Sequence, residues 1–197
     1  MKNIIWLIMV LFGMLPSIVF SHPHIFIESS VSVVMDKDGL LGIRTNWVFD
    51  EMFSSVIYEE YDKNKDKRFN AQETKLIQST AFSNLKGYNY FSSISIDNKP
   101  FPVTYVKDFS VKPAGEKVVY QFFIPCSVKA IKEYKEVRLA MYDSTYYMDI
   151  RFSGKSAGVE NVGTYEVQQK MSENPKLAYW DGLMVPQEIV YKFRSKK

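Results

Sequence analysis

Residues 25–49 read IFIESSVSVVMDKDGLLGIRTNWVF, and this stretch decides the fold. From Pro23 to Met35 the odd positions Ile25, Ile27, Val31 and Val33 are apolar. The even positions His24, Glu28, Ser30 and Ser32 are polar, with Phe26 the exception. Period two is the pattern of a strand that buries one face. Asp36-Lys37-Asp38-Gly39 carries the residue types of a tight turn. Leu40 to Phe49 then returns as the hairpin partner, with Ile43, Trp47 and Phe49 directed to a core.

On the C-terminal side the period changes. Phe53, Val56, Ile57 and Tyr61 have helical spacing behind Asp50, an N-cap residue. Asn70 with Glu73 three residues on is a capping-box pattern, followed by the apolar stripe Leu76, Ile77, Ala81 and Leu85, with Gly87 as the stop. A helical hairpin is expected over residues 50–87. From Tyr88 the chain reads as β, with strands expected at 89–97, 101–111, 117–124, 135–142, 145–152, 163–171 and 187–194. Asp97-Asn98 and Pro113-Ala114-Gly115 are expected turns, and Gly154 to Gly163 an expected flexible loop. The fold class is α+β: mainly antiparallel β in a two-sheet, sandwich-like arrangement, with an inserted EF-hand-like helix-loop-helix.

On the N-terminal side the chain is different in kind. Lys2 is the one charge before Glu28, and IIWLIMVLFGML, Ile4 to Leu15, is an unbroken apolar run ended by Pro16. This is the pattern of a secretory signal peptide over residues 1–21, with cleavage expected after Ser21. The run is short for a bilayer span, which takes about 20 apolar residues. No cysteine lies near the cut to carry a lipid anchor. Residues 22–197 would form a single exported, periplasmic domain beginning His22-Pro23-His24, which places both histidines of the 197-residue chain in its first three positions.

Composition narrows the chemistry. A net charge of +3 with no basic run argues against nucleic-acid binding. A single cysteine, Cys126, excludes an internal disulfide or a cysteine-rich zinc or iron–sulfur centre. There is no G-x-S-x-G, no nucleophile beside a histidine and no phosphate-cradling glycine loop, so no enzyme activity is expected. An enzyme would need a cleft converging on Asp143, Tyr147 and the amino terminus.

Two groups of residues could hold cations. Residues 62–73 read DKNKDKRFNAQE, with Asp62, Asn64 and Asp66 at the first, third and fifth places of a calcium-type loop. Arg68 would ligate through its carbonyl, and Glu73 stands at the twelfth, bidentate place. Lys67 replaces the glycine usual at the sixth place, and with four cationic side chains in the loop the affinity for calcium should be low. A polar connection that keeps the shape without the ion fits the same residues.

The second group is His22 and His24, two residues apart on an extended strand and so on one side. With Glu28, Asp143 or Asp149 as completing carboxylates they would suit a divalent transition metal: zinc, nickel, cobalt or copper. Pro23 lacks the amide that the square-planar amino-terminal copper chelate requires. The Tyr142–Asp149 stretch, read as a strand, places Asp143, Thr145, Tyr147 and Asp149 on one face. Sheet packing with tyrosine hydroxyls at the rim accounts for that stretch equally.

Taken together, the His-Pro-His-Ile-Phe-Ile start, Trp47-Val48-Phe49-Asp50-Glu51, the acidic loop 62–73, Tyr90-Phe91 and Tyr142-Asp143-Ser144-Thr145-Tyr146-Tyr147 resemble the "domain of unknown function 1007" (DUF1007) family of bacterial exported proteins. The resemblance covers nearly all of residues 22–197. The family usually carries proline at position 144 and glycine at position 67. The resemblance implies a periplasmic accessory protein working beside an inner-membrane nickel/cobalt-type permease or a metal ABC transporter, and no enzyme activity. The rival expectation is a calcium-stapled binding or adaptor module without transition-metal chemistry.

Overall fold

The computed structural model describes residues 23–196. The expected signal peptide and His22 lie outside them. The opening hairpin forms as its pattern requires. β1 (Ile25–Met35) pairs antiparallel with β2 (Gly39–Phe49), and Ile25, Ile27, Val31, Val33, Ile43, Trp47 and Phe49 are all buried. The Asp36 carboxylate closes the turn by accepting from the Asp38 and Gly39 amides at 2.9 and 3.1 Å.

The remaining strands are β3 (Ser92–Ile96), β4 (Lys99–Phe101), β5 (Lys107–Ala114), β6 (Lys117–Lys129), β7 (Lys135–Met141), β8 (Met148–Glu160), β9 (Tyr165–Glu173) and β10 (Gln187–Ser195). They build two five-stranded sheets, in the orders β5-β6-β2-β1-β8 and β4-β3-β7-β10-β9. Neighbours are antiparallel except β1 and β8, which run parallel. The buried faces of both sheets feed one core, with Trp47, Phe122 and Ile124 from the first and Leu139, Tyr191 and Phe193 from the second. Two glycines permit close approach inside the first sheet. A Cβ at Gly42 would stand 2.3 Å from the Phe123 ring, and one at Gly158 would stand 2.4 Å from the Ser32 hydroxyl.

α1 (Glu51–Tyr61) and α2 (Ala71–Thr80) are inserted between β2 and the rest of the sheets. Asp50 caps α1 by accepting from the Phe53 amide at 2.8 Å, and its other oxygen accepts from the Phe26 amide at 2.8 Å. Ser54, fully buried, accepts from the Val118 amide at 2.9 Å and so pins α1 to β6. The capping box at Asn70 and Glu73 forms as expected.

Several expected boundaries move. The helical hairpin does not run to residue 87. α2 ends at Thr80, and a 3₁₀ stretch follows over Phe82–Phe91. The Ser83 hydroxyl and the Asn84 amide donate to the Ser79 and Thr80 carbonyls there, a local competition that polar side chains bring to a helix end. The stretch buries Phe82 and ends on three successive residues with positive φ, Asn89, Tyr90 and Phe91 at 52°, 51° and 51°. Each such non-glycine residue costs about 1–2 kcal/mol.

Of the loop expected at Gly154 to Gly163, residues 154–160 instead continue β8 along β1 up to Glu160, because Gly158 lets the strands approach. The strand expected at 101–111 divides into β4 and β5. The strand expected across 142–149 is a turn as far as Tyr147, held by Asp143.

Candidate functional site

The surface beside the start of β1 is assembled from three segments distant in sequence. Asp50 ties the backbone of Phe26 to the start of α1, and the His24 amide donates to the Tyr147 carbonyl at 2.9 Å. The His24 ring lies 5.0 Å from the Tyr147 ring, and both side chains are exposed. β1 and β8 being parallel, Phe26 stands beside Asp149 and Glu28 beside Arg151. His24 and Asp149 therefore share the outer face of one strand pair, one diagonal step apart.

The Asp149 carboxylate is buried and holds Arg151 in a two-point contact, Nε at 3.0 Å and Nη2 at 2.7 Å. That contact holds the guanidinium above its ordinary pKa. Tyr179 completes the surroundings. Burial first, then the nearby Asp149, Tyr146 and Asp143, push its phenol up to about 12, so it remains a neutral hydroxyl at neutral pH and supplies no phenolate.

Asp143 is the centre of the turn that leads into β8. Its Oδ1 accepts from the Thr145 amide and hydroxyl at 2.9 and 2.7 Å, and its Oδ2 accepts from the Met148 amide at 3.1 Å. The buried carboxylate is thus occupied in holding the backbone, and Tyr146 takes a positive φ of 58° behind it. The turn displays rings: Tyr142 stacks on Tyr179 at 5.0 Å, and Tyr146 lies tilted against Trp180 at 4.7 Å. Tyr179 and Trp180 belong to a short hairpin closed by a bridge between Tyr179 and Met184.

The transition-metal candidates divide accordingly. His24 and Asp149 fall on one face by strand register. Glu28 lies four strand residues from His24, about 13 Å away and too far to share an ion with it. Asp143 is committed to its turn, and His22 lies outside the described residues. Among the described residues no three histidine, cysteine or acidic side chains converge on a point where an ion could sit.

The calcium-type loop lies between α1 and α2. Asp62 accepts from the Asp66 and Lys67 amides at 3.2 and 2.9 Å, Asn64 from the Asp66 amide at 3.2 Å, and Asp66 from the Arg68 amide at 2.8 Å. Glu73 accepts from the Lys63 and Asn70 amides, each at 2.9 Å. Lys67 takes the left-handed φ of 58° that the sixth place demands. Phe69 stacks on Tyr58 at 5.2 Å. The oxygen-rich donor set suits a hard cation, but its oxygens are turned to the loop's own amides.

Cys126 is buried, and burial pushes its thiol up to about 12, so it is an inert core residue. Among the described residues no helix is long and apolar enough to cross a membrane. Sequence reasoning found His24 and Asp149 but missed Tyr179 and Trp180. The signal for them was the Trp180-Asp181-Gly182 turn triplet, which marks a hairpin tip but does not say which surface it covers.

An uncharacterized protein of Haemophilus influenzae is 29% identical over 145 residues, 71% of this chain and 66% of that protein, so the chain spans about two thirds of that relative's length. An uncharacterized 15.5 kDa protein of Spirochaeta aurantia, from the 3′ region of trpE, is 29% identical over 130 residues, covering 64% of this chain and 91% of that protein. No solved structure matches. The family model described as a protein of unknown function (DUF1007) matches residues 7–177, and the chain belongs to that family.

Proposed function

We propose that this protein is an exported, periplasmic, non-enzymatic accessory of a divalent transition-metal transport system. It would offer an open, low-coordination site at its processed amino terminus to an inner-membrane permease or ABC transporter. The observation that carries this reading is the placement of His24. Its backbone is fixed to Tyr147, its ring is exposed, and it shares a face with the buried Asp149. A chain starting at His22 would add an amine and a second imidazole close by. Zinc, nickel, cobalt or copper binding there would draw Asp149 away from Arg151, and so would be reversible, as suits an ion in transit.

Titration of these four ions into protein beginning at His22, and into its His22→Ala/His24→Ala variant, tests the reading. At least about a tenfold loss of affinity in the variant is expected. Equal, weak binding by both would sink it.

A second reading is favoured by the loop 62–73. Its spacing, its capped flanking helices and the left-handed Lys67 are those of an EF-hand-like element that calcium would staple, leaving the domain a binding or adaptor module. Calcium should then raise the melting temperature of the wild type and leave that of Glu73→Gln unchanged.

A further inference from the structure

A cavity of about 300 Å³ opens where the 3₁₀ stretch meets the Tyr142 turn, at the lower end of the range of ligand pockets. It is lined by Tyr88, Asn89, Phe91, Ser93, Tyr142 and Ser144, among others. Three features mark it as more than a surface dimple. Its wall includes Asn89 and Phe91 of the run Asn89-Tyr90-Phe91, three consecutive left-handed residues, a strained conformation of the kind that gathers at ligand sites. The Phe91 carbonyl accepts from the Tyr142 amide at 3.0 Å, so the strained run and the Tyr142 turn are locked together. The residues around it are aromatic or neutral and polar, with no charged side chain in the lining.

That lining selects a chemistry. The rings are already paired among themselves, Tyr88 on Phe91 at 5.8 Å and Tyr142 on Tyr179 at 5.0 Å, so each pair has an outer face but no slot for a planar ligand to slide between. The side chains of Asn89, Ser93 and Ser144 have no hydrogen-bond partner among the described residues, and they supply donors and acceptors without charge. A cation would find no carboxylate in the lining and an anion no basic group. What fits is a neutral ring with one apolar face and a rim of hydroxyls. We infer that this cavity binds a saccharide, one pyranose ring resting on the aromatic wall with its hydroxyls met by Asn89, Ser93 and Ser144. The inference does not depend on the metal reading, since it uses neither histidine.

Cellobiose, maltose and N,N′-diacetylchitobiose, each titrated into the protein by calorimetry, test it. At least one should saturate with a Kd below about 10 mM. Tyr88→Ala should weaken that binding about fivefold. Tyr88 is 62% exposed, so this variant keeps its fold. Asn89→Gly tolerates the left-handed backbone and removes the amide. It should weaken binding while the melting temperature holds or rises. His22→Ala/His24→Ala should bind the sugar like the wild type, which separates this test from the metal titration. Saturation by none of the three sugars, or wild-type affinity in both Tyr88→Ala and Asn89→Gly, would overturn the inference.

Discussion

The loop between the helices and the turn after β7 are both tight and polar and both are held by carboxylate, yet they spend their polar groups differently. In the loop, Asp62, Asn64, Asp66 and Glu73 all bond to nearby backbone amides, and the element closes on itself. In the turn a single carboxylate, Asp143, takes the Thr145 and Met148 amides, and backbone carbonyls take those of Tyr142 and Tyr146. Ser144 is left exposed, and the second hairpin brings Tyr179 and Trp180 against Tyr142 and Tyr146. A motif recognisable by spacing is thus the better satisfied of the two regions, and the unremarkable turn is the one that builds a surface with chemistry to spare.

Asp143→Ala strikes at the whole of that difference. It leaves two amides and a hydroxyl without their buried acceptor, and should cost about 3 kcal/mol in urea unfolding, with loss of near-ultraviolet tyrosine signal. Glu73→Ala, the matching deletion in the loop, removes the acceptor of two amides but leaves Asp62, Asn64 and Asp66 holding the rest. About 2 kcal/mol is expected, and a larger loss than for Asp143→Ala would reverse the ranking. Lys67→Gly relieves a left-handed lysine and should stabilise the protein by about 1 kcal/mol in the same assay.

The smallest effect is in pH. The Tyr179 phenol, with its pKa raised by burial to about 12, stabilises the folded state below the ordinary tyrosine range near pH 10. That contribution fades as pH rises towards about 12, so alkaline unfolding should begin later in Tyr179→Phe than in the wild type.

The parts of the fold legible in the sequence are those written in periodicity and capping. The β1–β2 hairpin, Asp50, the Asn70–Glu73 box and the Asp97-Asn98 turn are all local signals, each complete within a few residues. What escaped depends on distant partners. Tyr142 to Tyr147 has strand composition, but the buried Asp143 bends it, and burial is not written in the residue. Gly154 and Gly158 have loop composition, but Gly158 is small because Ser32 of β1 lies against it. Of the candidate surface, His24 was legible from the His-Pro-His run and Asp149 by alternation. Tyr179, which lies near Asp149, comes from a hairpin some 30 residues further along the chain.

The order β4-β3-β7-β10-β9 places β10 inside its sheet, not at an edge. Ile189, Tyr191 and Phe193, from the final nine-residue strand, are at most 1% exposed and pair on both sides, with β7 and with β9. β9 has no sheet neighbour but β10, and β7 loses one of its two without it. A fragment cut before residue 187 therefore carries two unsatisfied strand edges and an open core. Such a fragment would be prone to association and proteolysis, which makes β10 the strand that closes the second sheet.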